Sequence, residues 1–420
     1  MQCSAILISA PASGQGKTLV AAAMARAWCK QGLSVQAFKC GPDFIDSMIL
    51  QTATGRPVYN LDLGMCGLED AKAQLHRAAL EMDVILIEGV MGLYDGTPST
   101  ADIAQALNIP VALVIDAGGM AQTFAAVASG LYTFNHALLS AGVVANKVGS
   151  TGHAKLLQSS MPDGIPWIGC LHRDNRLSLP ERHLGLHLAG EIADLEARID
   201  TAANALTNGQ AITLPPVVSF DKPNTIAAKP LLKGKTIAVA RDAAFCFIYQ
   251  ANIDCLALLG ATVIYYSLLD DDSLPEADAY WIPGGYPELH LERISQNTAM
   301  CSSLEAACNN NKPILAECGG MMALSKSLNG IDAFGLLEGD SLIMDKLQGL
   351  GTQHLEVDNN IIGAHTFHYG VFNTTLEPMF IANSKFGKGE AVYQHRNITA
   401  SFLHFYFPSN HELTAQFFSS

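Results

Sequence analysis

The sequence predicts an α/β protein of two consecutive domains: a P-loop, doubly wound parallel-sheet domain followed by a second α/β domain. Three observations lead there. At 420 residues the chain is longer than one ordinary core accommodates. Short, continuously apolar runs alternate with helical stretches, as strands covered on both faces do. Two glycine-bearing loops, each set between a strand and a helix, lie in opposite halves.

Composition narrows the class. Hydrophobic residues make up 49% and charged residues 15%, too apolar a balance for disorder. No apolar run is long enough for a bilayer. The opening MQCSAILISA lacks a basic leader and runs into a glycine loop, so it reads as a buried strand and the chain as cytoplasmic. A net charge of -14 with no basic block excludes a nucleic-acid partner, and no membrane partner is expected. The ten cysteines form no C-x-x-C pair, so each reads as a small buried hydrophobe until its surroundings say otherwise.

The elements follow in order. SAILISA is a strand, Lys17 to Gln31 has helical spacing and stops at Gly32, and SVQAFK, VILIEG, VALVID and SAGVVANKV are further strands. Together they predict an ATP-binding domain over 1–190. Glu191 to Leu206 reads as one helix, and the proline-rich stretch TNGQAITLPPVVSFDKPNTIAAKP reads as a linker, giving a helix and linker over 191–233. KTIAVARD, ATVIYY, AYWIPGG, KPILAECGG and ITASFLHFYF then define a second domain over 234–420.

Pro11-Ala12-Ser13-Gly14-Gln15-Gly16-Lys17-Thr18 lies between a strand and a helix, the setting of a P-loop. Glycines let backbone N–H groups from Ser13 to Gly16 turn onto phosphates. Lys17 reaches the terminal phosphates of ATP and Thr18 offers a hydroxyl to Mg2+. Pro11 stands where the strict pattern has glycine. Magnesium-assisted phosphoryl transfer also needs carboxylates at the same sheet edge. Asp46 and Glu88 are the metal or water-positioning candidates, and Asp43 and Asp95 the candidates for orienting a carboxylate substrate.

Ala316-Glu317-Cys318-Gly319-Gly320 ends a strand and begins a helix, the elbow geometry that exposes a nucleophile. A helix N-terminus aimed at the sulfur is expected to lower the thiol pKa. Backbone N–H groups of Gly285, in the upstream turn Pro283-Gly284-Gly285-Tyr286-Pro287-Glu288, and of Gly319 form a candidate oxyanion hole. His404 leads as general base, with His365 and His368 as competitors.

These motifs, together with K-C-G-P-D-F-I-D, E-G-V-M-G-L-Y-D-G, R-H-L-G-L at 182–186, R-D-A-A-F-C-F-I-Y, H-T-F-H-Y and the final F-L-H, resemble the cobyrinate a,c-diamide synthase family along nearly the whole chain. The resemblance implies a dethiobiotin synthetase-like domain followed by a class I, triad-type glutamine amidotransferase domain. It implies glutamine hydrolysis through a thioester on Cys318 with His404 as base. It also implies ATP-dependent phosphorylation of the a- and c-acetate carboxylates of cobyrinate, with ammonia displacing phosphate. Three departures stand out: no Glu follows His404 at the spacing of a third triad member, Thr366 replaces a usual Glu, and the residues after Asn60-Leu61-Asp62 differ. Hydrogenobyrinate and nickel sirohydrochlorin are alternative rings, and a homodimer is an assembly compatible with the reading. The reading from another class is a nucleotide switch resembling the partitioning ATPases, with a non-catalytic amidotransferase-like binding module.

Overall fold

The computed structural model describes residues 1–420 except 183–184, 209, 224–227, 386 and 420, and gives no account of the side chains of 181–186. His183 and Leu184 of the R-H-L-G-L motif, and part of the expected linker, therefore lie outside the described residues. The chain forms two units, Met1–Leu63 with Gly67–Thr225, and Gly64–Cys66 with Ile226–Ser420.

The first unit runs β1 (Gln2–Ser9), α1 (Lys17–Lys30), β2 (Val35–Cys40), α2 (Ile45–Thr54), β3 (Tyr59–Leu61), α3 (Leu68–Glu81), β4 (Val84–Glu88), α4 (Thr100–Leu107), β5 (Val111–Asp116), α5 (Thr123–Phe134), β6 (Ser140–Val148), α6 (Thr151–Ser159) and β7 (Trp167–His172). Its sheet has the order β3-β2-β4-β1-β5-β6-β7, every neighbour parallel. The strands are apolar on both faces because both faces are covered. Leu7 packs into one core with Ile85, Ile87 and Leu113, while its neighbours Ile6 and Ile8 enter the other with Leu86, Val114 and Trp28.

The stretch expected as a helix and linker completes this unit. Helix α7 (Leu195–Thr207) buries Ile199, Ala202 and Ala203 in the same core as α1. Strand Val217–Ser219 then pairs antiparallel with the start of β1. Pro216 ends no pairing there, since a proline keeps its acceptor: its carbonyl takes the N–H of Ala5 at 3.0 Å. The first unit thus extends beyond residue 190, because these residues carry apolar faces that only its core can bury.

The second unit has a seven-stranded sheet. Five strands are parallel, in the order Thr262–Tyr266, Thr236–Ala240, Ala279–Ile282, Ile314–Glu317, Ile398–Ser401. Ala391–His395 and Phe380–Ile381 extend it antiparallel. Beside it lies a long hairpin, Gly349–Val357 with Asn360–His368, which the sequence reading did not anticipate. Asp358 and Asn359 turn it with φ of 49° and 63°, a left-handed pair that Asp and Asn tolerate.

The stretch ITASFLHFYF supplies two strands. Ile398–Ser401 belongs to the parallel sheet, but His404–Phe405 pairs with the hairpin, His404 opposite His365. The chain changes sheets at Phe402–Leu403, where the Leu403 N–H donates to Ser401 Oγ at 3.1 Å. This step carries His404 to the carboxyl ends of the parallel strands.

Candidate functional site

In the first unit, the loops after β1, β2, β4, β5 and β6 meet at the carboxyl edge of the sheet, where open parallel sheets bind ligands. They line a cavity of about 990 Å³ that takes in Ser13, Gly14, Gly16, Lys17, Thr18, Asp43, Asp46 and Glu88. Gly14 and Gly16 hold φ of 77° and 89°, so the loop needs glycine there. A Cβ on Gly16 would also lie 2.2 Å from Asn146 Nδ2. Gln15 does not line the cavity. Its Oε1 accepts the Asp116 N–H and its carbonyl accepts Asn146 Nδ2, both at 2.8 Å, which ties the loop to the ends of β5 and β6.

The carboxylates gather around a lysine that sequence reasoning had not singled out. Lys39, 2% exposed at the end of β2, sits 2.8 Å from Asp46 Oδ2 and 3.3 Å from Glu88 Oε1, and donates to the Gly89 carbonyl at 3.0 Å. Burial alone would push its pKa down, but the charges of Asp46, Glu88 and Asp43 outweigh this and raise it. Glu88 is fully buried and pushed up to about 7 by burial, against the lowering charge of Lys39. Asp43 is pushed up to about 6 by burial and by the charge of Asp46, and its Oδ1 accepts the Asp46 N–H at 2.8 Å. Asn60 braces this loop by donating to the carbonyls of Gly41 and Asp43.

The P-loop side chains reach the same cluster. Thr18 Oγ1 donates to Glu88 Oε1 at 2.7 Å, and Lys17 Nζ donates to the Met91 carbonyl at 2.6 Å. Burial and the charge of Lys39 lower the pKa of Lys17. Asp95 is exposed, does not line the cavity, and accepts the Gly92 N–H at 3.0 Å, while its charge raises the pKa of Lys17. At the other end of the cavity, Lys147 pairs with Asp116 at 2.7 Å beside Arg173. Among the described residues, no group of three His, Cys, Asp or Glu is set to hold a metal.

The second unit builds its site at the end of strand Ile314–Glu317. Cys318 adopts φ 47° and ψ -107°, a strained elbow held by its N–H on the Ser401 carbonyl at 2.7 Å. Across from it lies His404. A Cβ built on Gly284 would stand 3.3 Å from Cys318 Cβ, 3.2 Å from His404 Nδ1 and 2.3 Å from His404 Cε1, so cysteine and imidazole flank this glycine. Gly285 and Gly319 also adjoin, since a Cβ on Gly319 would lie 2.9 Å from Gly285 N. Residues 245–247 fix the turn, Phe245 pairing with Gly285.

The expected lowering of the thiol pKa is corrected. Cys318 is 5% exposed, and burial, followed by the charge of Glu288, raises its pKa above that of a free thiol. The helix it caps, Gly319–Leu324, is only six residues long, and the Gly319 N–H lowers the pKa less than burial raises it. His404 is pushed down to about 3 by burial and by the charge of His368. Both shifts favour the uncharged forms, a neutral thiol and a neutral imidazole.

Comparison with known proteins bears on both halves. Residues 6–186 match the CobQ/CobB/MinD/ParA nucleotide binding domain, and residues 236–412 match the CobB/CobQ-like glutamine amidotransferase domain. A hydrogenobyrinate a,c-diamide synthase of Stutzerimonas stutzeri is 49% identical over 97% of this chain and 96% of its own. A cobyrinate a,c-diamide synthase of Herminiimonas arsenicoxydans is 46% identical over 99% of this chain and 96% of its own. The chain belongs to the a,c-diamide synthase family. It is a glutamine-dependent, amide-forming ligase of cobalamin biosynthesis rather than a nucleotide switch.

Within this a,c-diamide synthase the competing histidines have other attachments. His365 stacks on His404 with ring centroids 4.8 Å apart, and its Nδ1 meets the Tyr249 hydroxyl at 2.8 Å. Burial and the charge of His404 hold its pKa well below the ordinary value. His368 stacks on Phe402 and joins Glu390 through Nε2 at 2.9 Å. Thr366, the departure from the usual Glu, donates to the same Glu390 carboxylate at 3.1 Å. Sequence reasoning also passed over Asp116, Asn146 and Lys147. Their signal was available: polar residues closing otherwise apolar strands at the ligand-binding edge.

Proposed function

We propose that this synthase converts the a- and c-acetate carboxylates of a cobyrinate-type corrin acid to amides, using ATP in the first unit and glutamine in the second. The observation that carries the reading is the apposition of Cys318 and His404 across Gly284, on one chain with the Thr18–Glu88 contact of a P-loop. Cys318 attacks the glutamine amide as His404 takes the thiol proton. The N–H groups of Gly285 and Gly319 hold the oxyanion, and the thioester is hydrolysed after ammonia leaves. In the first unit Lys17 and the loop amides bind the ATP phosphates. Each carboxylate becomes an acyl phosphate that ammonia converts to the amide.

Mg2+ fits the residues present. Glu88 Oε2 is buried with no hydrogen-bond partner among the described residues, and its other oxygen already touches Thr18. Thr18 and Glu88 would hold the ion, with Asp46 close by on Lys39. When bound it neutralises charge on the terminal phosphates.

Two relatives, 49% and 47% identical, are named for hydrogenobyrinate, and one of 46% for cobyrinate, so these two rings are the substrates to try first. The test is mass spectrometry of each ring after incubation with protein, ATP, magnesium and glutamine. Two stepwise carboxylate-to-amide conversions identify the substrate. Failure on both, with nickel sirohydrochlorin converted instead, would reassign the ring. A cytoplasmic location, consistent with ten free thiols, and a homodimer belong to the same proposal. Light scattering on the full chain measures the assembly.

A further inference from the structure

The residue before the nucleophile is a glutamate with 1% exposure, on a strand whose other three residues, Ile314–Ala316, are apolar and buried. A carboxyl in such a place costs several kcal/mol of desolvation unless its oxygens are used. Both are. Glu317 Oε2 accepts the Trp281 Nε1–H at 2.9 Å, and Oε1 accepts the Phe405 N–H at 2.8 Å. Trp281 lies on strand Ala279–Ile282, which leads directly into Gly284 and Gly285. Phe405 follows His404 on the two-residue strand that leaves the parallel sheet. One side chain therefore touches each of the three segments whose ends make up the site: the elbow through its own backbone, the glycine turn through Trp281, and the histidine strand through Phe405.

We propose that Glu317 is a positioning residue of the glutaminase site, fixing His404 and the Gly285 turn against Cys318 through its two hydrogen bonds. The proposal rests on the reading of Cys318 and His404 as nucleophile and base. An apolar residue of like size would fill the same space without desolvation cost, but would leave two buried N–H groups with no acceptor. Only a side chain with two acceptor oxygens serves both donors at once. Glu317 does not act by activating the thiol: burial raises its own pKa to about 8, and once ionised its charge raises the Cys318 pKa, which opposes thiolate formation. Nor does it contact the imidazole as a third triad member would, since its partner is the backbone one residue on.

The test compares Glu317→Gln, Trp281→Phe and the double variant with wild type, and Cys318→Ala in parallel. Glutamine has one acceptor oxygen and an NH2 that would face an N–H donor, so one hydrogen bond is lost and a donor clash gained. Misplacement of this order lowers glutaminase kcat by about ten- to a hundred-fold. KM for glutamine and ammonia-dependent amidation stay near wild type. Trp281→Phe removes the opposing donor, so the double variant recovers part of the kcat lost by Glu317→Gln. If Glu317→Gln does not fold, Trp281→Phe alone carries the test with a smaller fall in kcat. A folded Glu317→Gln with wild-type kcat, a change in KM only, or no recovery in the double variant overturns the proposal. Glutaminase activity persisting in Cys318→Ala would instead overturn the reading beneath it.

Discussion

Lys39 and Glu88 form a buried ion pair at 3.3 Å, on the neighbouring strands β2 and β4, with Asp46 completing the cluster at 2.8 Å. Both partners are almost fully enclosed, so removing the ammonium leaves two acids facing each other in a low-dielectric site. Breaking such a pair costs about 3–5 kcal/mol. Lys39→Met is therefore expected to lower the urea midpoint of the first unit and to stop ATP-dependent amidation, while glutaminase activity in the second unit persists. Wild-type amidation by this variant would place Lys39 outside the chemistry.

Glu88→Gln and Asp46→Asn test the acids of the same cluster. Glu88→Gln removes the charged oxygen best placed for Mg2+, and Asp46→Asn removes the tighter partner of Lys39. Both are expected to lower amidation at least about a hundred-fold with either ammonia source, as loss of electrostatic stabilisation at phosphoryl transfer does. Basal glutaminase activity remains. Magnesium titrations separate the two roles: Glu88→Gln requires more metal for half-maximal ATP turnover, and Asp46→Asn does so less. ATP turnover equal to wild type would remove both from the site.

Cys318→Ala and His404→Ala test the second unit. The first is expected to abolish glutamine use by at least about a thousand-fold while sparing amidation with free ammonia. His404→Ala is expected to behave alike, and His365→Phe, which keeps a flat ring stacked over His404, to retain much more activity. Because His404 is held down to about 3, wild-type glutaminase should show no fall at the ordinary histidine pKa of 6.5. A fall centred there would mean that a different histidine is the base.

Much of this was legible in the chain. Apolar runs such as VILIE gave the parallel sheet because strands buried on both faces carry no alternation, and G-K-T and E-C-G-G marked the two loops. What was not legible depended on three-dimensional neighbours. Lys39 was quoted within its motif but not nominated, because only the return of β4 beside β2 brings Glu88 to it. The second attachment of Asp95, accepting the Gly92 N–H while its charge reaches Lys17, likewise depends on how its loop folds back. The helix after Cys318 suggested a lowered thiol pKa, yet burial, which no motif reports, dominates. The D-N turn at 358–359 between alternating runs was a hairpin signal left unread.

The acid–base state of Glu317 gives the last expectation. Burial pushes its carboxyl up from an ordinary 4.5 to about 8. The folded chain thus holds a proton there that the unfolded chain releases near 4.5, so protons favour the folded state between these values. Stability from this group is fully present below 4.5 and is lost as pH rises through 8. Glu88, pushed up to about 7, acts in the same direction in the first unit, with its loss complete at lower pH. Urea unfolding followed across the range from about pH 5 to pH 9 should show midpoints falling as pH rises. Glu317→Gln has no proton to lose, so its second-unit midpoint, read from Trp281 fluorescence, should fall less steeply, with the difference greatest on the alkaline side. An equal slope in both proteins would show that Glu317 is already ionised through this range, its two N–H donors being enough to offset burial.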